Sequence, residues 1–553
     1  MAEAFPKCDR RPLVLVLLLA LAVRLALLGA NWGNCKSMVF ERSWPDDTLW
    51  YRPLDRECRV LTPDSNDYLH LAVQLVEKRE FRRVEFTPSA MRRFERPEIF
   101  RTPGYPGFLA AVFALGGGVR AAVIVQILLD VLLCAMVYLL ARRLLGPALT
   151  RPAADLSQGE RSNGAARSRG VPESLTGKPP AGHAAEPLPR GQACPPYGSA
   201  LTRPFGPTSP EGRGVEGAAL WAALFQAVSP AVVVSSVRVL SESIFALLLT
   251  ACLLLVLEVL REPRRLWLAA PAGLLAAAAC LVRPIGQFFI FIPALVMLAR
   301  PGWRRVFGPL VFFACAALPV SAWIVRNYVV TDRQFLGLSS VAQVNLYWYN
   351  ARLFAKTMPD DPTVKSLVPP WFTRGSESID RMLGVAPESN NPAQVTHNAQ
   401  TGLRIIAAHP LSYALFHLRT TMNCFLPAAT DVLEVLGITS GNQGTLAVLQ
   451  QEGLQAAARH YFGGQVWPMA LAAPMLLFLL VKYACIVVGV IRQGRWWLSA
   501  EGWLAGLTIL YFVLAPGPVA HARFRVPIEP LLSVLAAAGV AWVVNWRRRR
   551  SRA

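Results

Sequence analysis

The sequence predicts an all-α polytopic membrane protein, and three observations support that fold class. Hydrophobic residues make up 54% of the 553 residues, charged residues only 16%, and the mean hydropathy is +0.37. Several segments approach the ~20 mostly apolar residues that a helix needs to cross a bilayer. Basic residues gather at the ends of these segments, as in the cytoplasmic loops of membrane proteins. A typical soluble domain is less apolar than this chain.

The apolar segments predict a bundle of about ten transmembrane helices, within a range of ten to twelve. The first segment resembles a signal peptide, but no clear small-residue cleavage site follows it and many spans come later. We therefore interpret it as an uncleaved first helix. The predicted spans are residues 12–30, 119–141, 216–235, 240–260, 266–282, 284–299, 306–325, 467–491, 497–515 and 525–546.

The positions of the basic residues predict that both termini are cytoplasmic. Arg10 and Arg11 precede the first span, and alternation from there puts the basic residues at the ends of the later spans on the same side. An even number of spans returns the C-terminus to that side. The basic residues concerned are Arg142, Arg143, Arg261, Arg264, Arg265, Arg300, Arg304, Arg305, Arg492, Arg495 and those of the tail 545–553.

The chain is expected to have five regions. They are residues 1–146 (first helices, with the outer loop 31–106), 147–214 (a disordered cytoplasmic insertion rich in Pro, Gly, Ser and Arg), 215–325 (helices three to seven), 326–466 (a second large outer region) and 467–553 (the last helices and the basic tail). Within the second outer region, His417 and Arg419 interrupt the apolar run 411–426, which favours an interfacial helix over a span.

The net charge of +21 does not indicate nucleic-acid binding, because membrane topology explains the basic residues and no nucleic-acid-binding motif accompanies them. The sequence TGKPP in the insertion does not complete a phosphate-binding loop. The ten Cys and seven His show no metal-binding spacing. Cys35 and Cys58 can form a disulfide only if their loop is extracytoplasmic and its geometry allows it.

With this topology, the conspicuous polar residues fall on the outer side. Several ionisable groups at one bilayer edge indicate a shared hydrated cavity. Since the planar guanidinium fork holds phosphate oxygens in a bidentate way, a few carboxylates surrounded by Arg predict a site for a phosphorylated ligand. The residues are Asp64, Asp67, Tyr68, Arg101, Tyr105, Arg238, Glu242, Arg283, Arg326, Asn327, His521, Arg523 and Arg525.

Structural roles are alternatives for several of these residues. Arg side chains at span ends commonly extend to lipid headgroups. Glu242 stands at helical spacing from Arg238 and could pair with it, while Asp64 could be the N-cap of a helix that begins near Asp67. Arg24 inside the first span is expected to pair within the bundle.

Two motifs in the first outer loop resemble those of bacterial membrane glycosyltransferases of the GT-C superfamily, which include the aminoarabinose transferases and protein mannosyltransferases. PDSNDYLHLAVQL matches an Asp-x-x-x-Tyr-x-x-x-Ala pattern at Asp64, Tyr68 and Ala72. RTPGYPGFLA matches an Arg-x-Pro-x-Tyr-Pro-x-Phe-Leu-Ala pattern from Arg101 to Ala110. SESIF, LVRPIG, WIVRNY and ARFRVPIEPLL extend the resemblance over nearly the whole chain outside 147–214.

The resemblance implies a GT-C-type helical bundle whose extracytoplasmic loops form the active site, and a sugar donor linked to a polyprenyl phosphate. It assigns Asp64 as the general base on the acceptor hydroxyl, with Asp67 as the second candidate, and it implies inversion at the anomeric carbon. Arg283, Arg326 and Arg523 are the candidates for holding the lipid phosphate. No cofactor is certain, and a divalent cation held by the two aspartates stays open.

We therefore expect a glycosyltransferase in the bacterial inner membrane that acts at its outer face on a lipid, glycan or protein acceptor. The alternative from another class is a transporter or lipid flippase for a phosphorylated or lipid-linked substrate. Transporters usually show internal repeats and polar residues at the bilayer midplane, whereas this sequence has no clear repeat and gathers its polar residues at one face. A non-catalytic scaffold does not require the acidic loop and the Arg residues on the same side.

Overall fold

A computed structural model describes residues 11–32, 59–87, 92–149, 210–299, 306–374, 389–439, 448, 452–462, 464 and 467–551. Cys35, Cys58 and nearly all of the insertion 147–214 lie outside the described residues. The helices in chain order are α1 (Arg11–Trp32), α2 (Pro63–Glu77), α3 (Gly104–Ala114), α4 (Val119–Leu149), α5 (Pro210–Ala227), α6 (Pro230–Val237), α7 (Glu242–Arg261), α8 (Ala269–Val282), α9 (Phe291–Leu298), α10 (Phe307–Val330), α11 (Val341–Asn345), α12 (Arg352–Ala355), α13 (Pro362–Leu367), α14 (Pro370–Arg374), α15 (Pro392–Ala408), α16 (Pro410–Thr421), α17 (Ala429–Val435), α18 (Leu454–Phe462), α19 (Trp467–Gln493), α20 (Ala500–Leu514) and α21 (Glu529–Arg550).

Short 3₁₀ segments and one π-helical turn connect these helices. Two of them matter for the site: residues 284–286, after α8, and residues 522–528, before α21. The others are Pro263–Leu268, Leu346–Ala351 (the π turn), Met422–Phe425, Gly494–Leu498 and Gly517–Val519.

The protein is a multi-pass helical membrane protein, as predicted. Within the described residues, seven helices are long and apolar enough to cross a membrane. The predicted span 216–235 is a bent pair, because α5 and α6 meet at 53° around Pro230. The predicted spans 284–299 and 497–515 are shorter apolar helices. All ten predicted spans thus fall on helices, although three of them are not simple straight spans.

The structure adds a feature that the all-α prediction lacks, an antiparallel hairpin in the loop predicted to lie outside (residues 31–106). Its strands are β1 (Arg82–Thr87) and β2 (Arg92–Pro97), paired from Arg82 opposite Pro97 to Thr87 opposite Arg92. The hairpin stands between α2 and the segment that leads to α3. The hairpin therefore lies between the PDSNDYLHLAVQL and RTPGYPGFLA motifs in the sequence. Because its two ends are paired, the segments that carry these motifs start close together in space.

The main hydrophobic core is formed by the facing sides of the membrane helices, and a smaller core lies within residues 326–466, the second region predicted to be outside. The smaller core contains Tyr347, Phe354, Phe372 and Ile405. The run 411–426 forms α16 followed by a 3₁₀ turn, and it is not among the helices long and apolar enough to cross a membrane in the described residues.

The two ends of α7 show how the bundle separates its charges. Glu242 begins the helix, and Arg261 ends it 20 residues later, a length of ~30 Å. At the Arg261 end, Arg143 pairs with Glu258 and Arg261 pairs with Glu501. These basic residues were all predicted to share the cytoplasmic side, and the structure groups them at one end, opposite Glu242.

Candidate active site

Seven charged side chains form one continuous chain of ion pairs in which Arg and carboxylate alternate. Their order is Arg83, Asp67, Arg101, Asp64, Arg523, Glu242 and Arg283. We call this set the charge chain. It begins and ends with Arg, so four guanidinium groups face three carboxylates and one positive charge is left over. Six of its members were predicted site residues from four separate parts of the sequence.

Helix α2 supplies the two aspartates of the charge chain. It begins at Pro63 with Thr62 as N-cap, and the Thr62 N–H donates to Ser65 Oγ at 2.9 Å. The alternative that Asp64 caps a helix starting near Asp67 is therefore wrong. Asp64 lies in the first turn instead, where the helix dipole favours a carboxylate. Because residues three and four apart share a face, Asp64, Asp67 and Tyr68 point the same way.

The RTPGYP segment places Arg101 between the two aspartates. Arg101 Nη2 donates to Asp64 Oδ1 at 2.7 Å and to Asp67 Oδ2 at 2.9 Å. Its guanidinium carbon lies 4.9 Å from the centre of the Tyr68 ring. A Cβ atom at Gly104 would lie 2.7 Å from backbone atoms of Leu281, so only glycine allows the segment to approach the end of α8 this closely.

Tyr105 packs against Tyr68 and fixes the position of its ring. Its ring meets the Tyr68 ring edge to face with centroids 4.8 Å apart. Its hydroxyl donates to Gln126 Oε1 at 2.8 Å, and Gln126 Nε2 donates to the backbone carbonyl of Arg238 at 2.8 Å. Tyr105 is 1% exposed, so it holds Tyr68 in place and does not itself reach the surface of the site.

Three membrane helices bring the other members of the charge chain to one end of the bundle. Glu242 is the first residue of α7, Arg283 follows α8, and Arg523 lies in the 3₁₀ segment before α21. Both Arg side chains pair with Glu242 Oε1, while the other oxygen, Oε2, is buried and has no hydrogen-bond partner among the described residues. Arg523 Nη1 also donates to Asp64 Oδ2 at 2.7 Å, which joins the membrane helices to α2.

Exposure varies along the charge chain. The Asp64 side chain is 30% exposed, that of Asp67 is 13% exposed and that of Glu242 is fully buried. Burial by itself raises the pKa of Asp64, but the guanidinium groups of Arg101 and Arg523 outweigh it and hold that pKa well below its usual range. Asp64 is thus the most accessible of the three carboxylates, and it is ionised at neutral pH.

The carboxylates do not fit a divalent cation. Each oxygen of Asp64 and Asp67 faces a guanidinium: Asp64 Oδ1 faces Arg101, Asp64 Oδ2 faces Arg523, Asp67 Oδ1 faces Arg83 and Asp67 Oδ2 faces Arg101. Across the part of the chain that the structure describes, no group of three or more His, Cys, Asp and Glu side chains could hold a metal ion. The positive charge in this site comes from Arg.

Two predicted ligand-binding residues, Arg326 and Asn327, bind backbone groups. Arg326 donates to the carbonyls of Glu98 at 2.7 Å and Phe81 at 2.9 Å and stacks on Trp323. Asn327 Nδ2 donates to the carbonyl of Gly337 at 2.9 Å. Both side chains fasten the base of the hairpin and the second outer region to the end of α10.

Two further predicted residues, Arg238 and His521, lie beside the charge chain and have other partners. Arg238 pairs with Glu434 at 2.7 Å, so the alternative that Arg238 pairs with Glu242 at helical spacing is wrong. The backbone between them is not helical, since α6 ends before Arg238 and α7 begins at Glu242. His521 Nδ1 lies 3.0 Å from the Val519 carbonyl oxygen, and its ring packs against Phe524.

Sequence reasoning missed Arg83, although it closes one end of the charge chain. Arg83 Nη2 lies 2.8 Å from Asp67 Oδ1. It lies in β1, in an RRVEFT stretch that carries no recognised motif. Predicting a strand here would have pointed to Arg83, because a hairpin between α2 and Arg101 must bring its strands back close to α2. Ser241 was also missed; its Oγ lies 3.4 Å from the Tyr68 hydroxyl.

Comparison with protein families finds a match between residues 199–356 and the Alg9-like mannosyltransferase family. The matched segment contains Arg238, Glu242 and Arg283 but neither Asp64 nor Arg523. The match agrees, over this segment, with the predicted resemblance to membrane glycosyltransferases.

Among solved structures, the chain is similar to the archaeal oligosaccharyltransferase AglB from Archaeoglobus fulgidus, in complex with an inhibitory peptide and a dolichol-phosphate. The sequence identity is 14% and the TM-score is 0.43, over 98% of this chain and 52% of that one. The chain thus spans about half the length of AglB. No curated protein matches the chain.

Proposed function

We propose that this protein transfers a sugar from a polyprenyl-phosphate donor to a hydroxyl-bearing acceptor. The observation that carries the proposal is the surplus positive charge of the charge chain, four guanidinium groups against three carboxylates at one membrane face. A polyprenyl phosphosugar is a phosphodiester with one negative charge. Its binding makes the site neutral, which favours this ligand class in a partly buried site.

The donor phosphate is placed at the membrane end of the charge chain, on Arg283 and Arg523. These two side chains share Glu242, and both stand next to an end of a membrane helix, so we place the lipid tail alongside these helices in the bilayer. Arg binds phosphate oxygens in a bidentate way and stabilises the charge that develops on a leaving phosphate. The sugar then lies towards Asp64, the most exposed carboxylate of the site.

In the reaction step, Asp64 accepts the proton of the acceptor hydroxyl while that oxygen bonds to the anomeric carbon. The bond from the anomeric carbon to the phosphate oxygen breaks, and the lipid phosphate leaves as a dianion. A single displacement of this kind inverts the anomeric centre. The site stays neutral, since the charge that Asp64 loses on protonation is the charge that the phosphate gains.

The low pKa of Asp64 in the free protein needs an explanation in this mechanism, because a good general base has a pKa near the working pH. Arg523 bonds both Asp64 and Glu242. When the donor phosphate competes for Arg523, Asp64 loses one of its two cations and becomes more basic. Donor binding therefore prepares the base before the acceptor reacts.

The proposal is tested by profiling lipid-linked sugars and envelope glycans in a deletion strain of the source organism. We expect one polyprenyl-phosphate sugar to accumulate and one glycan, lipid or protein to lose a sugar. The wild-type gene should restore both, and a gene encoding Asp64→Asn should restore neither although its product is inserted in the membrane. Full restoration by Asp64→Asn, or unchanged lipid-linked sugars in the deletion strain, contradicts the proposal.

We further propose that the charge chain faces the outer side of the bacterial inner membrane. Thr396 in α15 is exposed, so a cysteine there should react with a membrane-impermeant thiol reagent in spheroplasts. The parent protein is the control, since its described cysteines are buried or partly buried. Labelling only after the membrane is broken would place this face, and the site with it, in the cytoplasm.

A further inference from the structure

Residues 98–101, which carry Arg101, have no regular secondary structure, and their backbone is fixed by side chains instead. Buried polar backbone groups need partners, so their hydrogen bonds show what holds the segment. Glu98 Oε1 accepts from the N–H groups of Phe100 and Arg101, both at 2.7 Å. Asn390 Oδ1 accepts from the N–H of Ile99 at 2.9 Å and from that of Phe100 at 3.1 Å.

Glu98 and Asn390 also bind each other. Asn390 Nδ2 donates to Glu98 Oε2 at 3.2 Å, and the two residues are 0% and 2% exposed. They are 292 positions apart in the sequence, in different outer regions. We call this pair and its backbone bonds the Glu98–Asn390 clamp. Both oxygens of Glu98 accept hydrogen bonds, and burial raises the pKa of this carboxyl.

Further bonds from the second outer region complete the fixation of the segment. The carbonyl of Glu98 accepts from Arg326, that of Ile99 accepts from the Ser340 N–H at 2.9 Å, and that of Phe100 accepts from Ser339 Oγ. Three consecutive peptide units are therefore held from outside the first loop. The Arg101 side chain that they present reaches both Asp64 and Asp67.

We propose that Glu98 and Asn390 are positioning residues that set the place of Arg101, and through it the orientation of Asp64. The proposal rests on the proposed function for its activity assay. Neither residue belongs to the charge chain, and both are sealed from solvent, so neither touches substrate. Loss of the clamp should slow transfer, while a lipid phosphate should still bind at Arg283 and Arg523, where the clamp has no contact.

The polar pattern of the clamp allows a swap that tests this role. In Glu98→Gln, the amide nitrogen of residue 98 faces the amide nitrogen of Asn390, and two donors oppose each other. In Asn390→Asp, two carboxylates oppose each other. In the double variant Glu98→Gln/Asn390→Asp, the Gln amide donates to the Asp carboxylate, and all four backbone N–H bonds keep an acceptor. The matched control is Asn391→Asp, which adds the same charge one residue away at the N-cap of α15, where Asp and Asn are equivalent.

Three measurements are made on each variant: the extent of envelope glycan modification in the complemented deletion strain, the affinity of the purified protein for undecaprenyl phosphate, and hydrogen exchange of peptides covering residues 98–103. We expect each single variant to lose ~10- to 100-fold in transfer, as small misplacements of reacting groups do, with faster exchange and unchanged undecaprenyl phosphate affinity. The double variant should recover transfer and protection, and Asn391→Asp should match the wild type.

Wild-type transfer in Glu98→Gln overturns the proposal, and so does a folded double variant that recovers neither transfer nor protection. A parallel loss of undecaprenyl phosphate affinity in the single variants also overturns it, because general disruption would then explain the loss. If the wild-type protein shows no transfer, the proposed function fails. The clamp is then judged by exchange alone, and it is rejected if residues 98–103 exchange equally in the wild type and in Glu98→Gln.

Discussion

Buried charges occur in two settings in this protein, and the comparison separates structural ion pairs from the site. Inside the bundle, Arg24 bonds Asp130 at 2.6 Å and also donates to the carbonyls of Ala20 and Ala227, both at 2.9 Å. Arg24 and Asp130 are fully buried. In the charge chain at the membrane face, Asp64 is 30% exposed and shares both of its Arg partners with other carboxylates.

A second cluster of charged side chains inside the bundle is also buried and bonded to backbone groups. Glu529 lies between Lys482 and Arg525, each of the three side chains is 1% exposed, and Arg525 Nη1 donates to the carbonyl of Cys424 at 2.8 Å. Because Arg525 is two residues from Arg523, this cluster also anchors the segment that carries a member of the charge chain. Fully buried ion pairs that also bind backbone carbonyls hold helices together. In the charge chain, partly exposed side chains share their partners, so a ligand can replace one of those partners.

The largest effect is expected for Asp64→Asn. The change removes the proposed base and should lower the rate of transfer by ~10²- to 10⁴-fold, the usual contribution of a general base. The protein should still be produced, inserted and eluted as a single species by size exclusion, because Asp64 is partly exposed and the amide can still accept from Arg101. Transfer near the wild-type rate would move the base elsewhere in the charge chain.

Asp130→Asn should give the opposite result. The substitution leaves Arg24 without a counter-charge inside the bundle, which costs ~3–5 kcal/mol of stability for a broken buried pair. We expect a lower midpoint of thermal unfolding in detergent and a lower yield, with normal transfer per folded molecule. A variant of wild-type stability with reduced transfer would mean that the buried pair takes part in the reaction.

Arg238→Ala should have a small effect, although the sequence placed Arg238 among the ligand-binding residues. Its partners, Glu434 and Asp431, lie outside the charge chain, and the Glu434 side chain is 39% exposed. A pair of this exposure is worth ~0–1 kcal/mol. Transfer and undecaprenyl phosphate affinity should remain within about threefold of the wild type. A tenfold or greater loss of affinity would return Arg238 to the donor site.

The smallest effect is expected from pH. Because the pKa of Asp64 is lowered in the free protein, this carboxylate is ionised at every pH above its usual pKa of ~3.9. The stability that its ion pairs with Arg contribute is therefore lost only when the pH falls below that value. The ratio kcat/KM for the donor, which reports the free protein, should therefore show no acid limb from Asp64 between about pH 5 and pH 8. If kcat/KM of the wild-type protein falls on the acid side of that window and that of Asp64→Asn does not, the pairing of Asp64 with both Arg101 and Arg523 is contradicted.

Local sequence patterns predicted the helices and six of the seven members of the charge chain, because both depend on short-range signals. Apolar runs placed ten helical segments, seven of which are long and apolar enough among the described residues to cross a membrane. The positions of Arg at the ends of these segments brought Arg283 and Arg523 to the same end of the bundle as Asp64. The sequence could not distinguish an Arg that binds a carboxylate from one that binds carbonyls. Arg326 therefore looked like Arg283, although it donates to the backbone of Glu98 and Phe81.

The parts that were missed depend on contacts between distant residues. The hairpin carries Arg83 to Asp67, and its two short strands stand in no recognised motif. Glu98 and Asn390 belong to different outer regions, and neither stands in a motif, so only the folded chain shows that they meet. The straight span predicted over 216–235 failed at Pro230, whose ring cannot continue the helix.

The most direct test of the central claim is the binding of undecaprenyl phosphate compared with undecaprenol, the same lipid without its phosphate, to the purified protein in nanodiscs. The charge chain predicts tight binding of the phosphate, weakened by salt, and at least ~100-fold weaker binding of the alcohol, since at least two bidentate charge-assisted contacts are lost. Arg283→Ala/Arg523→Ala should abolish the difference between the two lipids, and Arg238→Ala should leave it intact. Equal affinity of the wild-type protein for the phosphate and the alcohol would contradict the account.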